Sequence, residues 1–395
     1  MAARKRGELL GLLRPCFVRA EPWLQAGKYV GALVSDLPKR NGWTIAQQVG
    51  DRAPLRTQRL LNRAVWDTFA AMRVVRRFAV AGLDEAARRA GRRQGLRVGA
   101  IDETSQVKQG TATAGVKRQY LGWVGKVANG ITTVHLSYVR EQTGHALIGA
   151  RQWIPAGHLS DPVKLLLTGL PPDLRFRTKG QLAIDICAEA RADGARFDFL
   201  WAMRSTATAP SCARSAKNTA RDMCCGFPLA SASPWRRGHA HLRPGGHPLA
   251  QRCSPLGGPL RGAGSKGQRW YGWVWLGTAS PRHYLLIRRH LSSGELAFHY
   301  CYVPAGQPVS KSRLVRAAGL RWPAEEDFEF GKGCFGLDQS QVRLYHAIAR
   351  HTVLVMAALA VCAVTAALLR DRTDTQASSP VRPDQPPPAD PGMIR

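Results

Sequence analysis

Asp102 closes an apolar run, Leu96 to Ile101, that reads as a strand, and Arg321, Glu325 and Lys332 stand four and seven residues apart in a segment that reads as a helix. A carboxylate at a strand end projects from rigid backbone into an open site. Spacings of four and seven place the three later residues on one helix face. Hard divalent cations take carboxylate oxygens, and two such cations ~4 Å apart activate the attacking oxygen and stabilise the leaving one in phosphodiester transfer. Arg321 and Lys332 would then meet phosphate. The same residues have plainer uses: a strand-end Asp serves as a turn or cap, and Arg321 with Glu325 suits a surface ion pair.

Three groups of elements must position these side chains. Residues 1–95 read as helices, with apolar spacing in Leu9–Leu13, Ile45–Val49 and Leu60–Phe78 and a turn at Arg40, Asn41 and Gly42. Gly42–Arg63 has the length for a helix-turn-helix. The strand ending at Asp102 opens an antiparallel meander continued by Gln119–Tyr120 and Ile131–Arg140. Thr178 then caps a helix from Lys179 to about Asp193, with Gly194 in the usual C-terminal glycine position, and a short strand Arg196–Leu200 follows. Further on, Trp270–Thr278, Tyr284–Arg289 and Leu296–Val303 read as strands, and Ser310–Leu320, Ala324–Lys332 and Gln341–Leu369 as helices.

At this point the chain resembles the insertion-sequence transposases that carry an Asp-Asp-Glu site on an RNase H-like fold. It looks most like the group marked by Tyr-x2-Arg-x3-Glu-x6-Lys. Arg321, Glu325 and Lys332 match that spacing, and Ala318 stands at the Tyr position. The text around Asp102 (Thr104, Lys108, Gly110, Gly115, Val116, Arg118, Gln119, Tyr120) also resembles the group, as do Trp43, Gln58-Arg59-Leu60-Leu61 and Trp66-Asp67. The resemblance covers about 30–200 and 263–370.

That resemblance implies an α/β fold with a mixed sheet: an RNase H-like catalytic domain with a β-rich insertion, preceded by a helical DNA-binding domain. It implies an enzyme that binds the terminal inverted repeats of its element, cuts double-stranded DNA with Mg2+ (or Mn2+), and joins the ends to target DNA. A homodimer on DNA is left open. Residue by residue, Asp102 is the first metal ligand and Glu325 the third, with Glu326 the alternative if the register slips by one. The segments are then 1–95, helical and basic; 96–200, the first part of the catalytic domain; 201–262, aberrant; 263–309, the rest of the β-rich insertion; 310–370, the C-terminal helices; and 371–395, a disordered tail.

The middle acid is missing. The group expects it in text like Gly-Asp-Glu-Val-Tyr-Gly after the Thr178 helix, whereas this chain reads Trp201-Ala202-Met203-Arg204. From Ala202 to Ala263, 62 residues contain no Val, Ile, Tyr or Glu, with nine Lys or Arg against the single acid Asp222. Seven prolines break both helix and strand periods there. Three readings compete: a disordered basic insert, a small zinc knot on Cys212, Cys224, Cys225, His239 and His241, or out-of-frame translation. The knot lacks a Cys-x2-Cys pair. Out-of-frame translation explains more, because Trp201, Ala202, Met203 and Arg204 re-read from the last base of the Trp codon permit Gly-Asp-Glu. The second Asp is then lost near Ala202–Met203, and Asp198 is the fallback ligand, two residues before the expected strand end.

Bulk charge supports a polyanionic partner. The chain carries +30, and residues 1–95 alone hold 19 basic residues against seven acids, 19 − 7 = +12. The nine cysteines form no even framework, and no secretory signal is evident at Met1, so a reducing cytoplasm, on the nucleoid, is the expected place. Thr352–Leu369 is uncharged and long enough to span a membrane, but it suits the core helix of a large α/β domain better. The competing function is a noncatalytic DNA-binding protein derived from a transposase.

Overall fold

A computed structural model of the chain describes residues 1–202, 225–229, 271–277, 282–304, 306, 307 and 310–377. Five helices come first: α1 (Ala2–Leu13), α2 (Ala20–Leu33), α3 (Gly42–Gln48), α4 (Leu55–Asn62) and α5 (Thr68–Arg89). The apolar spacing over Leu60–Phe78 is thus divided between two helices. The Trp66 indole N–H donates to the Leu60 carbonyl at 3.2 Å, its backbone bridges to Phe17, and the two rings stack at 4.9 Å. That contact pulls the chain out of helical geometry, and Asp67 restarts it by accepting from the Phe69 and Ala70 N–H groups.

The sheet follows: β1 (Arg97–Val107), β2 (Lys117–Leu121), β3 (Lys126–Arg140) and β4 (Gly144–Trp153). Next come α6 (Ala156–Leu159), α7 (Pro162–Thr168), α8 (Lys179–Ala192) and β5 (Phe199–Ala202). Helix α8 opens on the expected Thr178 cap, reinforced by the Gln181 side chain, and is followed by Gly194 at φ +92°. Strand β4 carries no sequence signal because its middle is buried on both faces, which removes the alternation a half-exposed strand shows. Strand β5 begins three residues later than the expected Arg196 and crosses the 200/201 boundary.

Beyond it and β6, the described residues form β7 (Tyr271–Gly277), β8 (His283–His290), β9 (Leu296–Tyr302), α9 (Lys311–Gly319), α10 (Pro323–Gly333) and α11 (Tyr345–Ala377). Strand β6 (Cys225–Leu229) falls inside the stretch whose pattern sustains no element. Its order comes from neighbours, parallel β5 on one side and antiparallel β9 on the other. The rest of the aberrant stretch, including Met203, Cys212, Cys224, His239 and His241, lies outside the described residues.

Among the described residues, the nine strands form one sheet in the order β2-β3-β1-β5-β6-β9-β8-β7, with β4 also on β3. The strands expected as the β-rich insertion are hydrogen-bonded into the same sheet as β1 and β5. Strand β1 is central: antiparallel to β3 from Arg97↔Arg140 to Val107↔Gly130, and parallel to β5 from Val98↔Phe199 to Ile101↔Ala202. A long antiparallel meander joined to parallel strands, with helices packed on it, is the mixed α/β architecture of RNase H-like type expected from the sequence.

Helix α11 is long and apolar enough to cross a membrane by length and composition, yet most of its apolar window is buried. Leu354, Met356, Leu359 and Val364 pack in one core with Val75, Ala79 and Leu83 of α5 and Ala146 and Leu147 of β4. Each such side chain contributes roughly 1.5–3 kcal/mol by leaving water, enough to hold the helix inside the domain. It runs to Ala377, into the segment expected as a tail.

Candidate active site

The parallel pairing of β1 with β5 ends at Ile101 and Ala202, so Asp102 is the first β1 residue past it. It does not end the strand, as its sequence suggests. Strand β3 is long enough to carry β1 on to Val107 and places His135 directly opposite Asp102. One Asp102 carboxylate oxygen accepts the Glu103 N–H at 2.7 Å. Burial pushes the Asp102 pKa up to about 7, with the Glu325 and Glu103 charges adding to it and the Glu103 N–H and Arg321 opposing. An ionised Asp102 is thus costly in the protein alone.

Helix α10 delivers the second carboxylate. Pro323 sits at its start, where a missing N–H costs nothing. Arg321 lies before the helix, not on it, because α10 begins at Pro323; its guanidinium reaches forward to Glu325 at 2.9 Å. Lys332, in the last turn, is only 5% exposed, and its ammonium lies 3.9 Å from the ring centre of Trp123 in the β2–β3 turn. Burial lowers the Lys332 pKa to about 8 against the pull of Asp338 and Asp102. Asp102, Arg321, Glu325 and Lys332 are thus brought together from opposite ends of the chain.

The other acids are placed elsewhere. Glu326 turns to His145, Oε2 to Nε2 at 3.2 Å, and beside it the buried Asp327 contacts His145 Nδ1 at 2.9 Å and the Ser137 hydroxyl. Burial alone would depress His145, but Asp327 and Glu326 hold its pKa up to about 10, so the imidazolium ties α10 to β3 and β4. Asp198 is not brought to Asp102. It lies level with Arg97 at the far end of the β1–β5 pairing, accepting the Arg97 N–H at 2.8 Å and meeting the Arg97 and Arg313 guanidinium groups. Glu103 points to Lys179 at 2.8 Å.

His135, His145, Ser137 and Trp123 carry no spacing signal. They belong to β3, β4 and a turn, and only sheet register brings them to α10. His135 is buried beside the Phe328 ring, and burial, with Lys332 nearby, lowers its pKa to about 3.

A divalent cation fits this donor set in part. Asp102 and Glu325 supply hard oxygens, and burial leaves the Asp102 carboxyl with a raised pKa that a cation would lower. Among the described residues, no group of three or more His, Cys, Asp or Glu could hold a metal ion. The described β1–β5 pairing ends at Ala202, opposite Ile101.

Residues 13–202 match the model of the DDE superfamily endonuclease family. The match includes Asp102 and runs to Ala202, the residue at which the anomalous composition begins. No curated protein matches the chain. Among solved structures it is similar to a piggyBac transposase in a cryo-EM synaptic complex with hairpin DNA, with 9% identity and a TM-score of 0.46 over 90% of this chain and 67% of that one.

Proposed function

We propose that the chain is a DDE transposase of the insertion-sequence type, in or near the Tyr-Arg-Glu-Lys group, whose second metal-binding Asp has been lost from the text as translated. The observation that carries this reading is the meeting of Asp102 with Glu325, flanked by Arg321 and Lys332. Asp102 and Glu325 would hold Mg2+ or Mn2+, which when bound activates the attacking oxygen and stabilises the leaving one. Arg321 orients Glu325 and stands ready for phosphate, and the basic helices of residues 1–95 bind the terminal inverted repeats. The match to the endonuclease family over 13–202 supports this assignment.

The end of the β1–β5 pairing at Ala202 supports a lost acid near there, because a carboxylate at 202 would stand opposite Ile101 and next to Asp102. The reading has the frame shift near Phe199–Trp201 and recover near Gly258–Ala263. The test is to resequence the DNA encoding residues 195–267 and to assay both this chain and a frame-restored version on inverted-repeat duplexes with Mg2+. Cleavage by the restored version alone is the expected result. Cleavage by neither, with salt-sensitive binding by both, would instead favour a noncatalytic DNA-binding protein.

A further inference from the structure

Strand β1 runs on past Asp102 to Val107, and the ladder continues one residue further, where the Lys108 N–H donates to the Asn129 carbonyl at 2.9 Å. Even spacing puts Gln106 and Lys108 on the face that carries Asp102. The Gln106 amide donates to the Asp338 and Ser340 carbonyls at 2.7 and 2.8 Å. The Lys108 ammonium donates to the Ser340 carbonyl at 2.7 Å and the Val342 carbonyl at 3.4 Å. All of these oxygens belong to the strap, residues 334–344, that joins α10 to α11.

The strap has little slack. The Leu337 N–H donates back to the Gly331 carbonyl in the last turn of α10 at 2.8 Å, and the Ala114 N–H donates to the Arg343 carbonyl at 2.9 Å. The Arg40 N–H donates to the Gln339 side chain at 2.6 Å, and Gly336, at φ +68°, lies so close that a side-chain carbon there would stand 2.7 Å from Arg40 Cβ. Whatever holds the strap therefore holds the end of α10.

Lys108 is an expensive way to hold it. It is 8% exposed, its hydrogen bonds go to main-chain carbonyls, and burial lowers its pKa to about 8. A buried ammonium without a carboxylate costs more than an apolar side chain of similar size, so stability does not account for it. Geometry does. Asp102, Gln106 and Lys108 ride on one strand, Glu325 on α10, and the strap indexes one to the other. His145 fixes α10 earlier along its length, at Glu326 and Asp327, and a helix held at one point alone can still pivot.

We propose that Gln106 and Lys108 are positioning residues: through the strap they hold α10 at the place along β1 where Glu325 and Asp102 close on one divalent cation. This rests on the reading of Asp102 and Glu325 as metal ligands given above, and adds the residues that set their separation.

The test follows Mn2+ binding to the full chain by the electron paramagnetic resonance of the free ion, at one fixed pH, beside thermal melts of the metal-free protein. Lys108→Met should weaken Mn2+ binding about tenfold at an unchanged melting temperature, because the Ser340 carbonyl keeps its bond from Gln106. Adding Gln106→Leu should weaken it further. Lys108→Arg, which still donates to carbonyls, should retain most of the affinity. Parent-like Mn2+ affinity in the Lys108→Met, Gln106→Leu double variant overturns the positioning role while the metal reading stands. A melting temperature that falls in step with affinity, without rescue by Lys108→Arg, also overturns it, leaving an ordinary structural lysine. Mn2+ binding that is absent from the parent chain, or indifferent to Asp102→Asn, overturns both readings.

Discussion

Two acidic clusters meet helix α10, one residue apart in sequence and opposite in electrostatic state. Glu326 and Asp327 close on His145, whose raised pKa keeps it cationic, and Ser137 takes a further Asp327 contact. Glu325 pairs with Arg321 instead, its charge reaching Asp102, and burial leaves Asp102 with a pKa of about 7 despite the opposing Arg321 charge. The first cluster is internally neutralised and fixes the helix. The second is left short of positive charge, which is the condition of a site that takes its cation from outside. The fold thus places a neutralised acid cluster and an unneutralised one on neighbouring residues.

The largest effect should come from breaking the anchored cluster. His145→Ala leaves Asp327 buried without its cation and should cost about 3–5 kcal/mol at pH 7, read as a lower urea midpoint. Because the folded-state pKa of His145 is raised from 6.5 to about 10, its contribution is full below pH 6.5 and fades as pH rises toward 10. The gap between parent and variant should shrink over that range. A constant gap from pH 6 to 10 would mean that the imidazolium is not the anchor.

The unneutralised cluster should behave in the opposite sense. With Asp102 raised from 3.8 to about 7, the folded chain holds a proton that the unfolded chain has released, so this group makes stability fall as pH rises from about 4 to 7. Asp102→Asn removes that slope and should stabilise the metal-free protein by about 1–3 kcal/mol at pH 8. Equal melting temperatures at pH 8 would refute the charge deficit. Mn2+ should supply the missing charge: saturating metal at pH 8 should stabilise the parent chain by roughly 1 kcal/mol, and Asp102→Asn should be indifferent to it. Below pH 7 protons compete for Asp102, and the metal effect should weaken about tenfold per pH unit.

The contrast between the clusters explains what the sequence discloses. The proximity of Asp102 to Glu325 and Lys332 is open to expectation because an acid after an apolar run and a seven-residue helical spacing are local signals, and helices α8 and α9 announce themselves through the caps Thr178 and Ser310. The anchors are not legible. His145 sits on β4, which shows no alternation because its middle is buried on both faces, and Ser137 and His135 reach their partners only through the long β1–β3 register. Residue spacing alone puts Arg321 on the helix, yet Pro323 starts α10 after it. Strand β6 arises where no local pattern exists, because β5 and β9 supply it from both sides.

The smallest expected effect bears most directly on the comparison. Arg321 and Glu325 are an i,i+4 pair with side chains 26% and 35% exposed, so Arg321→Ala should cost only about 0.5 kcal/mol in stability near pH 5, where Asp102 keeps its proton. Arg321 also lowers the Asp102 pKa, and its removal should move that group's titration upward. The stability loss that follows Asp102 ionisation would then begin at a higher pH in Arg321→Ala than in the parent chain. Coincident pH profiles would place Arg321 with Glu325 alone, a surface pair of the kind its spacing allows, and would separate it from the Asp102 site.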